Sequence, residues 1–176
     1  MFEHLALYNQ WINNSLYEAV STLTKDELKC ERAAFFGSDF GPIIGTLNHI
    51  MVGDIFWFKR FAEYPEKFEG LDYFRTLDKP NALNAILYAE LADLKKARIE
   101  MDEHILNFTR QLTHHALNSV LNYQNASGIE HSKNVSHLLQ HVFNHQTHHR
   151  GQVSTLLFQA GIDMGVTDML AGIEDE

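Results

Sequence analysis

Neutral imidazole is the commonest protein ligand for a borderline divalent ion, and this chain of 176 residues holds eleven histidines. Four of them, His141, His145, His148 and His149, fall in one stretch, HVFNHQTHHRGQV, at residues 141–153. On a helix, residues four apart stand one above the other, so two imidazoles at that spacing converge on a single ion. His145 and His149 have it, and so do His141 and His145. His141 and His149 are about 12 Å apart along a helix axis, too far to chelate one ion together. The flanks VSHLLQHVF and VSTLLFQAG carry apolar residues at helical spacing and predict one helix over about 134–160, stopped at Gly161.

On an ideal wheel with His141 at zero, those apolar residues centre near about 110°. His149 lies about 30° from that direction, His145 about 70°, His141 about 110° and His148 about 130°. The core side therefore favours the 145/149 pair, and His148 faces out. Between Phe143 and Val153 there is no hydrocarbon side chain. Gln146 and Arg150 fall near the core side, which implies a polar pocket inside the fold.

A metal site that keeps a position open for substrate takes three protein ligands, so a third inward histidine is needed. His49 interrupts the nearly continuous apolar run IIGTLNHIMVG, with Gly45 and Gly53 one turn before and after it. A buried histidine must be hydrogen-bonded or coordinated. Alone, His49 is more simply a satisfied core residue; beside His145 and His149, coordination is the better reading. Three imidazoles favour Zn²⁺ or Ni²⁺ over Mg²⁺ or Ca²⁺, which prefer oxygen. Asp54, five residues on, is either a group that orients a ligand or a residue at an exposed helix edge. Arg150 and Gln152 are candidates for holding an anionic or amide-bearing substrate, with a surface salt bridge as the other reading of Arg150. Glu3, His4, His104, His114, His115, His131 and His137 read as surface or loop residues. No carboxylate stands at the spacing of HExxH, so a general base for hydrolysis is missing and thiol chemistry gains ground.

Composition narrows the classes. Fourteen Lys and Arg against 23 Asp and Glu give a net charge of −9, which repels nucleic acid. Cys30 is the only cysteine, so neither an intrachain disulfide nor a cysteine-based zinc site can form, as suits a reducing cytoplasm. No basic start leads into an unbroken apolar run, and no window approaches the roughly 18 apolar residues of a membrane span. The expectation is a soluble, cytoplasmic protein of one domain over residues 1–176.

The elements that must position the histidines follow from periodicity. Phe2, Leu5, Ala6, Asn9, Ile12, Leu16 and Ala19 predict a helix over 2–20. A loop ending in GSDFGP leads to Pro42 in a first helical turn and an almost wholly apolar helix to about Tyr64. Residues 65–80 read as a connection with one short helical turn, and Asn81 as the cap of a third long helix over about 82–112. Around the NASG turn, residues 118–134 could pair as a small hairpin, and DMLAGIEDE reads as an acidic, partly disordered tail. The fold expected is all-α, a four-helix bundle with a small hairpin before the last helix. Trp11, Phe56, Trp57 and Phe58 supply more apolar surface than one bundle face easily hides, which points to a homodimer.

With YNQWINNSL in the first helix, LNHIMVGDIFWF in the second and HVFNHQTHHRGQVSTLLFQAG in the fourth, the chain resembles the DinB/YfiT-like family of metal-dependent four-helix bundles. The last stretch is the most specific, since the family ends its fourth helix on an HxxxHRGQ-like sequence. The resemblance implies metal ligands at His49, His145 and His149, a zinc, nickel or similar ion, and a homodimer. It also implies, for some relatives, S-transfer with low-molecular-weight bacterial thiols. The name shared with a DNA polymerase implies no polymerase activity. The function expected is a small-molecule metalloenzyme, a thiol-dependent S-transferase or a hydrolase, with no catalytic residue assigned. The alternative is a non-catalytic metal-binding or stress-response module.

Overall fold

A computed structural model describes residues 1–31, 41–125 and 127–172. Four long helices dominate it: α1 (Phe2–Val20), α3 (Ile43–Ala62), α5 (Leu91–Gln111) and α7 (Val135–Gln159). Short helices α2 (Lys25–Lys29), α4 (Asp72–Thr76) and α6 (His114–Asn118) lie in the connections, with 3₁₀ turns at Glu69–Leu71 and Met169–Gly172. Strands β1 (Val120–Gln124) and β2 (Glu130–Asn134) pair antiparallel, from Val120 opposite Asn134 to Gln124 opposite Glu130. This is the expected helical bundle with its hairpin before the last helix.

Every residue of α3 from Ile43 to Ile55 is buried, as an apolar run with no polar face demands. α3 packs against α7, and α1 packs against both α7 and α5. One part of the core is aromatic: Phe58 stacks on Phe74 and meets Phe61 and Phe108 edge to face. Phe58 is thus spent within the chain, while Trp11, Phe56 and Trp57 are partly covered.

The ends of α7 fix its rotation. Asn134, the last residue of β2, accepts hydrogen bonds from the Ser136 and His137 amides and so caps the helix. At the other end Gly161, at φ +79°, lets the Gly161 amide bond the Phe158 carbonyl and the Ile162 amide bond that of Leu157. The tail turns back on α1, where Tyr8 donates to the Thr167 carbonyl at 2.7 Å; its residues 173–176 lie outside the described ones, as does the 32–40 part of the loop before Pro42. Pro42 itself stands at the N-cap of α3, just ahead of the first turn.

One expected element is wrong in its first third. Residues 82–90 are not helical: α5 begins at Leu91 after Glu90, and Asn81 caps nothing. Backbone groups of this segment are drawn to partners on α3 instead. The Asn48 side chain takes the Leu87 and Tyr88 amides and the Tyr88 carbonyl, and His49 takes the Leu83 carbonyl. A helix would have consumed those groups in its own ladder.

Candidate metal centre

α3 presents His49 from its buried stretch to the face of α7 that carries His145 and His149. The His49 Nε2 lies 3.1 Å from His145 Nε2 and 3.2 Å from His149 Nε2, and one ligand atom from each ring falls within 4.8 Å of the others. Nitrogens sharing a tetrahedral zinc at about 2.0–2.1 Å would stand about 3.3 Å apart, so the spacing fits one ion.

The outer nitrogens decide where the protons are. His49 Nδ1 lies 2.9 Å from the Leu83 carbonyl oxygen, which can only accept, so in the neutral ring Nδ1 carries the proton and Nε2 the lone pair. His149 Nδ1 lies 2.8 Å from Gln152 Oε1, with the same consequence. Two lone pairs then face each other across 3.2 Å, an arrangement that a cation relieves. Burial pushes His145 down to about 3, with His149 and His49 adding to it. It also pushes His149 down to about 4, the Gln152 bond opposing, and lowers His49 against the Leu83 bond. The three rings are therefore neutral at physiological pH, the form that binds metal.

Close approach of the two helices depends on Gly53. A Cβ there would stand 2.7 Å from Cε1 of His145, inside any allowed contact. His49 and His149 are buried, but His145 is half-exposed and lines an open groove of about 490 Å³ with His137, Gln140, His141, Asn144 and His148. The cluster is thus reached from the outer side of α7, and no carboxylate lines the groove.

His141 stays outside the trio; its ring meets Trp57 at 5.2 Å and His145 at 6.2 Å. His148 faces solvent, as the wheel requires, and its Nε2 lies 3.1 Å from Gln152 Nε2. Gln152 therefore orients histidines and is not poised for substrate. Of the histidines expected at the surface or in loops, His4, His114, His115 and His137 are exposed, whereas His104 stacks on Tyr73 at 4.3 Å and His131 on Tyr123 at 5.4 Å. Cys30 is exposed.

For two charged residues the surface reading fails. Asp54 is not at an exposed edge: it is fully buried, 2.5 Å from Arg98 Nη1 and 2.5 Å from Gln146 Nε2, because an isolated carboxylate in an apolar helix must find donors. Arg150 makes no surface salt bridge. It is buried against α1, where it donates to Asn9 and, at 3.5 Å, to Asn13. Asp102 on α5 accepts from Asn9 and Asn13 and pairs with Arg98 at 2.8 Å. The core-side placement of Gln146 and Arg150 pointed to this buried polar network. Its other members, Asn9, Asn13, Asp54, Arg98 and Asp102, were not joined to them in the sequence, although Asn9 sits within the apolar repeat of α1 and Asp54 within the apolar run of α3. Asn48 was missed too, although it is a second polar residue in the run that His49 interrupts.

Comparison with known proteins identifies the family of the chain. A protein-family model described as the DinB family matches residues 1–176. The chain is 30% identical over 166 residues to Protein DinB of Bacillus subtilis (strain 168), covering 92% of this chain and 87% of that protein.

Proposed function

Because the chain belongs to the DinB family, we propose that His49, His145 and His149 hold one divalent ion, zinc or nickel by the softness of the donors, in a small-molecule metalloenzyme. The observation that carries this reading is the convergence of the three Nε2 atoms, two of them with tautomers set by Leu83 and Gln152. Such an ion supplies Lewis acidity, lowering the pKa of water or of a thiol brought to it.

The protein's own groups do the rest. Leu83 and Gln152 hold the His49 and His149 rings in orientation, and buried neighbours keep bulk water from two of the three imidazoles. The side of His145 open to the groove admits a substrate between His141, His148 and Asn144. Hydrolysis needs a general base, and the groove has no carboxylate; Asp54 is turned inward onto Arg98 and Gln146. In S-transfer with a low-molecular-weight thiol, the thiol acidified by the ion would pass its proton to solvent, so this reaction depends less on a carboxylate and is the one favoured, with hydrolysis second. A non-catalytic metal-binding or stress-response module is the alternative class. The setting proposed is the cytoplasm; among the described residues no helix is long and apolar enough to cross a membrane.

Purified H49A, H145A and H149A variants should each lose bound metal, and H141A should keep it. Loss at H141A equal to that at H149A would move the pair to 141/145. In the Co²⁺-substituted wild type, a cellular thiol should produce a sulfur-to-metal charge-transfer band. No spectral change with any such thiol removes the transferase and leaves the binding module ahead.

A homodimer is also proposed, resting on the partly covered Trp11, Phe56 and Trp57. Light scattering should give twice the chain mass of 20.2 kDa at micromolar concentration; the single-chain mass would rule the dimer out.

A further inference from the structure

We propose that Asn48 is a positioning residue for the histidine cluster. By clamping the 81–90 segment to α3, it holds the Leu83 carbonyl against His49 and so fixes which ring nitrogen of His49 carries the proton. Its consequence for metal affinity rests on the reading given above; its effect on the ring does not.

Asn48 is completely buried, one residue before His49. Its amide has four hydrogen bonds, and all are made. Oδ1 accepts from the Leu87 amide at 2.8 Å and the Tyr88 amide at 2.9 Å, while Nδ2 donates to the Ile44 carbonyl at 2.9 Å and the Tyr88 carbonyl at 3.0 Å. Backbone amides only donate, so this network also settles the orientation of the side-chain amide. Apart from Asn48, the end of the segment is held by Leu87 and Tyr88 packing on the core and by Glu90 pairing with Lys25 at 2.6 Å, but its start is loose: residues 81–90 form no helix or strand, Leu83 and Ile86 are half-exposed, and local bonding is of the kind seen from the Ala85 amide to the Ala82 carbonyl at 3.3 Å. Four residues before Leu87 comes Leu83, whose carbonyl reaches His49 Nδ1 at 2.9 Å.

Adjacent residues of one helix thus grip the same segment in two places, and the two grips differ in kind. Asn48 takes both donors and acceptors and can hold the segment by itself. His49 offers a single ring nitrogen, whose proton is placed by the carbonyl that the segment delivers. With the segment released, His49 Nδ1 loses its fixed acceptor and the neutral ring distributes between its two tautomers. The Nε2 lone pair aimed at His145 and His149 is then present only part of the time.

The test uses metal-free, ¹⁵N-labelled protein at neutral pH, with the His49 tautomer read from long-range proton–nitrogen correlations of the ring. Zn²⁺ affinity is measured on the same samples by competition with a chelator. The variants are N48A and the near-isosteric N48D, which still accepts from the Leu87 and Tyr88 amides but cannot donate to the Tyr88 carbonyl. Wild-type His49 should be in the Nδ1–H form. Both variants should show a mixture and bind Zn²⁺ about tenfold more weakly, the lower end of the effect of removing a group that orients a ligand. A purely structural clamp would lower the unfolding temperature and leave the ring signals unchanged. Wild-type His49 in the Nε2–H form, or variants that keep both the wild-type tautomer and the wild-type affinity, would overturn the proposal. Should N48A not fold, N48D carries the comparison. Wild-type protein that binds no Zn²⁺ removes the metal reading alone, and the tautomers still decide the role of Asn48.

Discussion

Gly53 shows how little space the cluster has. Alanine is a better helix former than glycine, and in an open helix the exchange stabilises by about 0.5–1 kcal/mol. At this position the added methyl would meet Cε1 of His145 at 2.7 Å, so the imidazole or the helix must move. G53A should therefore lose metal affinity without a matching loss of helicity, measured by metal titration beside circular dichroism; unchanged affinity would mean that His145 is not held where it stands. The same rings set a pH dependence. In the unfolded chain they take protons near the ordinary value of 6.5, whereas folded His145 and His149 resist down to about 3 and about 4. Between those values the unfolded state binds more protons, so the metal-free protein loses stability as the pH falls from 7 towards 4. Urea midpoints across that range should show the loss, and H145A should flatten it. A wild-type midpoint that does not change with pH would contradict the neutral, crowded cluster.

At the scale of elements, what was legible was whatever repeats. The apolar stripes of α1 and α3 and the long run of α7 placed three helices to within a residue or two, and Asn134 and Gly161 marked the ends of the last. The 145/149 pair followed from the same wheel, because a helix that is buried on one side leaves its rings only one way to face. The start of α5 was not legible. ALNAILYAE has good helix formers, but the competing demand comes from Asn48 and His49, some 35–40 residues earlier, whose side chains need backbone groups that a helix would have used up. Tertiary partners of that kind leave no periodic trace. The short helix α2 falls in what read as a loop, although Thr24 and Glu27 form a reciprocal cap that the TKDE sequence spells out. Asp54 and Arg150 were each left with two readings for the reason that hid the start of α5: their partners lie on other helices, and a one-dimensional reading sees each charge alone.

Across the whole molecule these charges join all four long helices. Asn9 and Asn13 on α1, Asp54 on α3, Arg98 and Asp102 on α5, and Gln146 and Arg150 on α7 form one buried set with two acidic and two basic groups. Burial works to lower Arg98, but Asp102 and Asp54 hold it above its ordinary value; burial raises Asp54, and Arg98 pulls it back. The set also borders the histidines, for Asp54 follows Gly53, Gln146 follows His145 and Arg150 follows His149 along the chain. Removing one member leaves an uncompensated charge in the core, which typically costs about 3–5 kcal/mol, whereas replacing a pair with apolar side chains of similar volume is often nearly neutral. D54A should therefore lower the unfolding free energy in urea by about 3–5 kcal/mol, since Arg98 keeps only Asp102 and Gln146 loses its acceptor. The D54L/R98M pair should recover a substantial part of that loss, which separates an unpaired charge from a simple cavity. A double variant no more stable than D54A would mean that shape, and not charge balance, is what the network contributes to holding α7 against its neighbours.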